Sequence, residues 1–229
     1  MAFRSEKAFG VILAAALAPA LWGQSFDFQV RHDHWRKACT GTLHIDGDGV
    51  SYTGAGKHSW EWAWQDIQRF SLSPSRVNLV TYQDNRWKLG ADREYVFTVA
   101  AGQDFGVAYS FLKDRLDQRF VAELADQDVK PLWEIPAKRL GRLVGSEGML
   151  LVGEDRIVYR SGKPGASMTW RYTDIQNLSS SGPFQLTLTA LQGTYDFQLK
   201  RPLEESRYNA LWRAVQQRQG RLSGLLVVP

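Results

Sequence analysis

The stretch HSWEWAWQDIQ, residues 58 to 68, alternates large apolar and polar side chains, so an extended chain would carry Trp60, Trp62 and Trp64 on one face. That period of two predicts a strand. Short β-rich runs of the same kind, broken by Gly, Asp, Asn and Ser, place strands near 26–34, 40–46, 49–54, 58–65, 66–73, 76–82 and 93–100. Asp46-Gly47-Asp48-Gly49, between the second and third, is a hairpin signal. Beyond 105 the period lengthens: Ala108, Leu112, Leu116 and Phe120 recur at i, i+4, which predicts one amphipathic helix over roughly 105 to 124.

The pattern then starts again. WAWQDIQ (62 to 68) matches WRYTDIQ (170 to 176), and GTLHIDGDGVSY (41 to 52) matches GMLLVGEDRIVY (148 to 159). FDFQV (26 to 30) lies over WEIPA (133 to 137), YVFTV (95 to 99) over YDFQL (195 to 199), and VAYSFLKDRLDQR over SRYNALWRAVQQR. Matches that keep their order along the chain predict two copies of one unit, at 25–126 and 132–220, followed by an apolar tail at 221–229. The second helix opens with Pro202, Glu204 and Glu205, the residues a helix start favours for its missing donors and its dipole.

The first residues stand apart from both copies. Arg4 and Lys7 precede the apolar run AFGVILAAALAPAL, which ends in Ala18-Pro19-Ala20. This is the layout of a secretory signal peptide, residues 1–20, with cleavage near Ala20 and export to the periplasm or beyond. The run is shorter than the roughly 20 residues a membrane-spanning helix needs. Removing it lowers the formal charge of +4 by one, so the exported chain is only mildly basic, and nucleic acid is excluded as a natural partner. A hydrophobic content of 44% and a charged content of 23% are those of a globular chain. The single cysteine, Cys39, cannot form an internal disulfide.

Seven strands closed by one helix, twice over, resemble the pleckstrin-homology-like family, including its bacterial and GRAM-type relatives. Trp212 sits mid-helix as that family's helix tryptophan does, and Lys113 takes the place in the first copy. The resemblance implies a mainly β chain of two small barrels in tandem, each with a C-terminal helix.

Several groups of residues invite a functional reading. The tryptophans are either a core strand or an aromatic strip for a sugar or membrane; Met168, Trp170 and Tyr172 keep the same face apolar in the second copy, as packing would. All four histidines, His32, His34, His44 and His58, lie in the first half of the first copy. His32 and His34 would share one side of a strand, and with Cys39 and His44 they make a set of the types zinc takes. Arg139, Gly141 and Ser146 replace His32, His34 and Cys39 in the second copy, so the scaffold itself does not need them.

Basic residues Arg31, Arg36 and Lys37, and Lys138, Arg139 and Arg142, border the first hairpin of each copy. They suit weak peripheral contact with an anionic membrane. They do not reproduce the lysine-rich pattern, ending in a basic-x-Arg step, of pleckstrin-homology domains that bind phosphoinositides. Asp66 and Asp174, in the repeated Asp-Ile-Gln, read as turn formers. The stretch QDNRWKLGADREY (83 to 95) is longer and more charged than its counterpart LQGTY, and it offers Trp87, Lys88, Asp92, Arg93 and Glu94 to a partner. No G-x-S-x-G, P-loop or strand-following G-x-G-x-x-G is present. The sequence therefore reads as a non-enzymatic exported protein that binds a protein or lipid of the cell envelope without a cofactor. The rival readings are a zinc site in the first copy and a purely structural tandem module.

Overall fold

The computed structural model describes residues 23–32, 38–54, 58–85, 88–141 and 143–225. The expected signal peptide, the tail beyond Leu225, and His34, Arg36, Lys37, Trp87 and Arg142 lie outside them. The chain is mainly β. Seven strands, β1 (Phe26–His32), β2 (Cys39–Ile45), β3 (Gly49–Gly54), β4 (Ser59–Ala63), β5 (Ile67–Leu72), β6 (Arg76–Asp84) and β7 (Asp92–Val99), precede a short helix α1 (Tyr109–Lys113) and a three-residue strand β8 (Phe120–Ala122). Seven more follow: β9 (Trp133–Arg139), β10 (Ser146–Val152), β11 (Arg156–Ser161), β12 (Met168–Arg171), β13 (Ile175–Ser179), β14 (Gln185–Ala190) and β15 (Gly193–Leu199). Helix α2 (Glu205–Leu225) closes the described chain and runs through the expected boundary at 220. No helix among the described residues is long and apolar enough to cross a membrane.

All fifteen strands form one open sheet, in the order β13-β14-β15-β9-β10-β11-β12-β8-β5-β6-β7-β1-β2-β3-β4. The seven strands on either side of β8 pair in the same internal order, and their buried side chains form two separate clusters. Matching positions do matching work. Gly41 and Gly148 sit where a Cβ would lie 2.3 Å from the Thr53 carbonyl oxygen and 2.2 Å from that of Arg160, so both strand crossings demand glycine.

The period-two face of β4 is a core face. Trp62 is buried and Trp60 partly so, and on β12 Met168 and Trp170 are both buried. Each such side chain contributes about 1.5–3 kcal/mol by leaving water. Trp64 departs from the expected strand: it opens a short 3-10 turn, and its indole N–H donates to the Asp46 carbonyl at 3.2 Å. The Asp46-Gly49 turn is shaped by the Asp46 carboxylate, which accepts the Asp48 and Gly49 amides at 2.8 and 3.0 Å.

The helix expected over 105–124 is the largest correction. A 3-10 turn at Phe105–Ala108, started by the Asp104 carboxylate on the Gly106 amide, leads into α1, which ends at Lys113. Asp117 then turns the chain by accepting the Arg119 amide at 2.9 Å, and Phe120-Val121-Ala122 enters the sheet with all three side chains buried. Ala108, Leu112 and Phe120 are buried as their spacing demanded, but from three different elements. β8 pairs in parallel with β5 and antiparallel with β12, so it is the strand that joins the two clusters. Trp212, the residue that carried the family resemblance, is 44% exposed; Leu211 and Val215 face the core instead.

The junction is bolted by two arginines from the second half. Arg171 donates to the carbonyls of Lys113 and Leu116 at 2.6 Å and of Asp117 at 2.7 Å, capping the end of α1, while its Nε holds Asp174 at 2.8 Å. Arg156 reaches Asp126, a fully buried carboxylate that also accepts the Tyr109 hydroxyl at 3.1 Å. Asp174 has the turn role expected of it, and burial raises its pKa although Arg171 opposes the rise. Asp66 is exposed.

Candidate functional site

β9 ends at Arg139, which faces Ser146 on β10 and Phe197 on β15. Its guanidinium lies 5.7 Å above the ring of Tyr159 and 5.9 Å above that of Tyr195. Below it, Tyr159 is fixed: its hydroxyl donates to the Ser146 carbonyl at 2.5 Å and meets the Ser146 hydroxyl at 3.2 Å. Burial pushes the Tyr195 phenol up to about 12, so its ring stays neutral beneath the cation. The guanidinium is thus held against two aromatic faces.

Facing Arg139 is the hairpin tip between β11 and β12. Ser167 accepts the Ser161 amide at 3.1 Å, Ser161 accepts the Lys163 amide at 3.2 Å, and Gly165 takes a φ of +69° that disfavours other residues. Lys163 and Arg160 are exposed there. A cavity of about 400 Å³ opens on one side of the tip, lined by Arg139, Ser146, Met168, Thr194 and Tyr195. A second, of about 580 Å³, opens on the other side against α1 and the segment after β8. Glu123, Lys163, Pro164 and Gly165 line both.

Glu123 follows β8, where its amide is bound by the Leu72 carbonyl at 2.8 Å. Burial raises its carboxyl pKa, and Arg76, Arg69 and Arg139 only partly offset that. Three guanidiniums therefore share one reluctant carboxylate. The surplus of positive charge, with the hydroxyls of Ser146 and Thr194, suits an anionic group carried by a ligand. The volumes are those of ordinary ligand cavities, about 300–1,000 Å³.

The same end of the first half is built differently. His32 holds the strand position of Arg139, with its ring centre 6.0 Å from Tyr52 and 6.1 Å from Tyr95. Trp60, opposite Tyr52 as Met168 is opposite Tyr159, stacks on Tyr52 at 5.4 Å and reaches His32 at 5.3 Å. Cys39 takes the place of Ser146: its sulfur lies 3.2 Å from the Tyr52 hydroxyl, as the Ser146 oxygen does from Tyr159.

Of the suggested zinc ligands, His34 lies outside the described residues, and His44 stands apart from His32 and Cys39. His32 and Cys39 are partners across β1 and β2, but His32 Nδ1 lies 2.9 Å from the Val96 carbonyl. His44 is opposite Asp27 at the far end of the same strands, a separation of roughly 16 Å along the strand from the rise per residue. Both its nitrogens are engaged, by Asp27 at 2.7 Å and Asp46 at 3.1 Å. Among the described residues no three metal-ligating side chains converge. In the 83–95 stretch Lys88 is exposed, and Arg93 donates to Gln83 at 3.3 Å and to the Tyr95 hydroxyl at 3.5 Å. Neither Lys88 nor Arg93 lines the cavity onto which Arg139 opens. Glu123, Lys163, Asp126 and Arg156 join the site without a sequence signal of their own, since Phe120-Val121-Ala122, which leads to Glu123, is apolar throughout.

No family model matches the chain, and no curated protein does. Among solved structures, a C-terminal domain of an unknown protein from Leishmania infantum is 14% identical over 38% of this chain and 84% of its own, with a TM-score of 0.32. The N-terminal PH domain of human ARAP2 is 14% identical over 42% and 84%, TM-score 0.31. The Spt16D–Pob3N heterodimer matches at 12% over 74% and 84%, TM-score 0.28. Likeness at this level leaves the description to the strand order and the cavities themselves.

Proposed function

We propose that this chain is a non-enzymatic binding protein, two pleckstrin-homology-like modules in tandem, exported on residues 1–20 and held to a protein or lipid of the cell envelope. The shared strand order on either side of β8 supports the tandem reading. The observation that carries the binding role is Arg139, stacked on Tyr159 and Tyr195 and opening, with Lys163, onto a cavity where Arg139, Arg69 and Arg76 share the Glu123 carboxylate. The group it receives is anionic.

The test is co-sedimentation with phosphatidylglycerol vesicles, run beside capture from envelope extract, for the full exported chain and for Arg139→Ala and Lys163→Ala. Each basic residue near an anionic surface contributes about 1 kcal/mol, so each variant should bind about fivefold more weakly in whichever arm reports the partner. Binding unchanged in both arms by both variants would sink the assignment.

A further inference from the structure

The two halves differ at one edge in a way that exposes a docking strand. Gly54 N–H donates to the His58 carbonyl at 2.8 Å and Trp64 N–H to the Asp48 carbonyl at 3.3 Å. Antiparallel pairing alternates, so Trp60 and Trp62 bond inward to β3, while Ser59 and Glu61 direct their N–H and C=O away from it. The register of the second half is the same. Tyr172 N–H donates to Asp155 at 2.8 Å, which leaves Thr169 of β12 directed outward. There the outward groups are taken: Thr169 pairs with Ala122 of β8, and its hydroxyl donates to the Leu124 carbonyl at 2.8 Å and accepts the Asp126 amide at 3.0 Å.

Glu61 is the counterpart of Thr169, between Trp60 and Trp62 as Thr169 is between Met168 and Trp170. β4 is the last strand of the sheet, and among the described residues no strand lies beyond it. The other terminal strand, β13, is covered: α2 brings Gln219 to the Ile175 carbonyl and Tyr208 to that of Leu178 at 3.3 Å.

We propose that the β4 edge receives an extended segment of a partner polypeptide, antiparallel, as β12 receives β8. The occupant's chemistry follows from the page. It carries an apolar residue beside Trp62, as Val121 lies beside Trp170, and a neutral or basic residue opposite Glu61, where an acid would be repelled. The surface lies at the end of the sheet and owes nothing to the Arg139 cavity.

A peptide of residues 117–126, which contains β8, is the probe. Within the chain Ala122 pairs with Thr169 of β12, while the Phe120 amide donates to the Asp117 carbonyl at 3.1 Å, and Arg119 and Glu123 bond to β5 through the Arg119 carbonyl and the Glu123 amide. Val121 therefore faces β5 as well. Titration calorimetry of the full exported chain should show one-to-one binding. N-methylation of Ala122 in the peptide should weaken it about tenfold, and N-methylation of Val121 should leave it unchanged. On the protein, Glu61→Pro removes an outward donor and should weaken binding about tenfold, while Glu61→Ala should not. The two peptide arms use the unaltered protein, so they decide the matter even if Glu61→Pro fails to fold. No binding, equal loss from both methylations, or a dimer of the chain that Glu61→Pro dissolves would each overturn the proposal.

Discussion

Replacing Asp126 by alanine should cost this protein about 3–5 kcal/mol, the range for breaking a buried ion pair from one side. The carboxylate is 1% exposed, and it receives the Arg156 guanidinium, the Tyr109 hydroxyl at 3.1 Å and the Asp128 amide at 2.9 Å, with Lys113 4.0 Å away. Removing it forfeits a charged hydrogen bond worth about 1.5–3 kcal/mol and strands a buried phenol at a further 1–3 or so. Arg156 keeps Asp155, bound through Nε and Nη2 at 2.7 Å, which holds the total within that range. Asp126→Asn keeps one acceptor, for the Asp128 amide, and its NH2 can donate to the Tyr109 hydroxyl oxygen, so about half the loss is expected. Urea unfolding should show the midpoint falling by more than about 1 M with the slope unchanged, and a double-mutant cycle with Arg156→Met should show a coupling of about 1 kcal/mol or more. There is also a pH signature. Burial resists ionisation of Asp126, but the Asp128 amide and Arg156 prevail and hold its pKa below the usual value. The stabilisation is therefore present above the unfolded value near 3.9 and is lost as pH falls through the lower folded value; Asp126→Asn should flatten that acid limb. A cost below about 1 kcal/mol, or no coupling, would refute the view that this carboxylate bolts the halves together.

Two smaller outcomes follow from the first half. Cys39→Ser should leave thermal stability nearly unchanged, since Ser146 serves Tyr159 in just this way, whereas Cys39→Val strands the buried Tyr52 hydroxyl and should cost about 1–3 kcal/mol in the same urea assay. The Asp27 hydrogen bond raises the pKa of His44, aided by Asp46 and opposed by its partial burial, so its NMR titration midpoint should lie above the ordinary histidine value and drop in Asp27→Asn. The contribution of that raised group is complete below the unfolded value and fades as pH rises through the folded one; a midpoint unmoved by Asp27→Asn would contradict the bond.

Strands were legible because β4, β12 and their neighbours each bury one face, and a half-buried strand writes its period into the sequence. The false helix had equally physical grounds. Ala108, Leu112 and Phe120 are all core residues, and spacing reports that a residue is buried without saying which backbone brings it there. β8 is buried on every side chain, so it carries no alternation of its own that could compete with the helical period. The candidate site was half visible. Arg139 stood out as one of a basic group, but its partner Glu123 lay inside the misread helix. The junction that sets Lys163 across from it is a product of the sheet order, which no local pattern encodes.

The oddities of the first half make sense as substitutions at matched positions. His32 for Arg139, Cys39 for Ser146 and Trp60 for Met168 all fall at one end of the strands, around a tyrosine kept in both halves. Exchanging methionine for tryptophan there fills space against Tyr52, and exchanging arginine for histidine removes a permanent cation. Any anionic ligand admitted at Arg139 would meet, at the other end of the chain, a packed aromatic wall with an imidazole whose Nδ1 lies against the Val96 carbonyl. Trp60→Met alone would therefore not create a second site. It would open volume without supplying charge, and only joined with His32→Arg would it offer the guanidinium-on-tyrosine arrangement that defines the first.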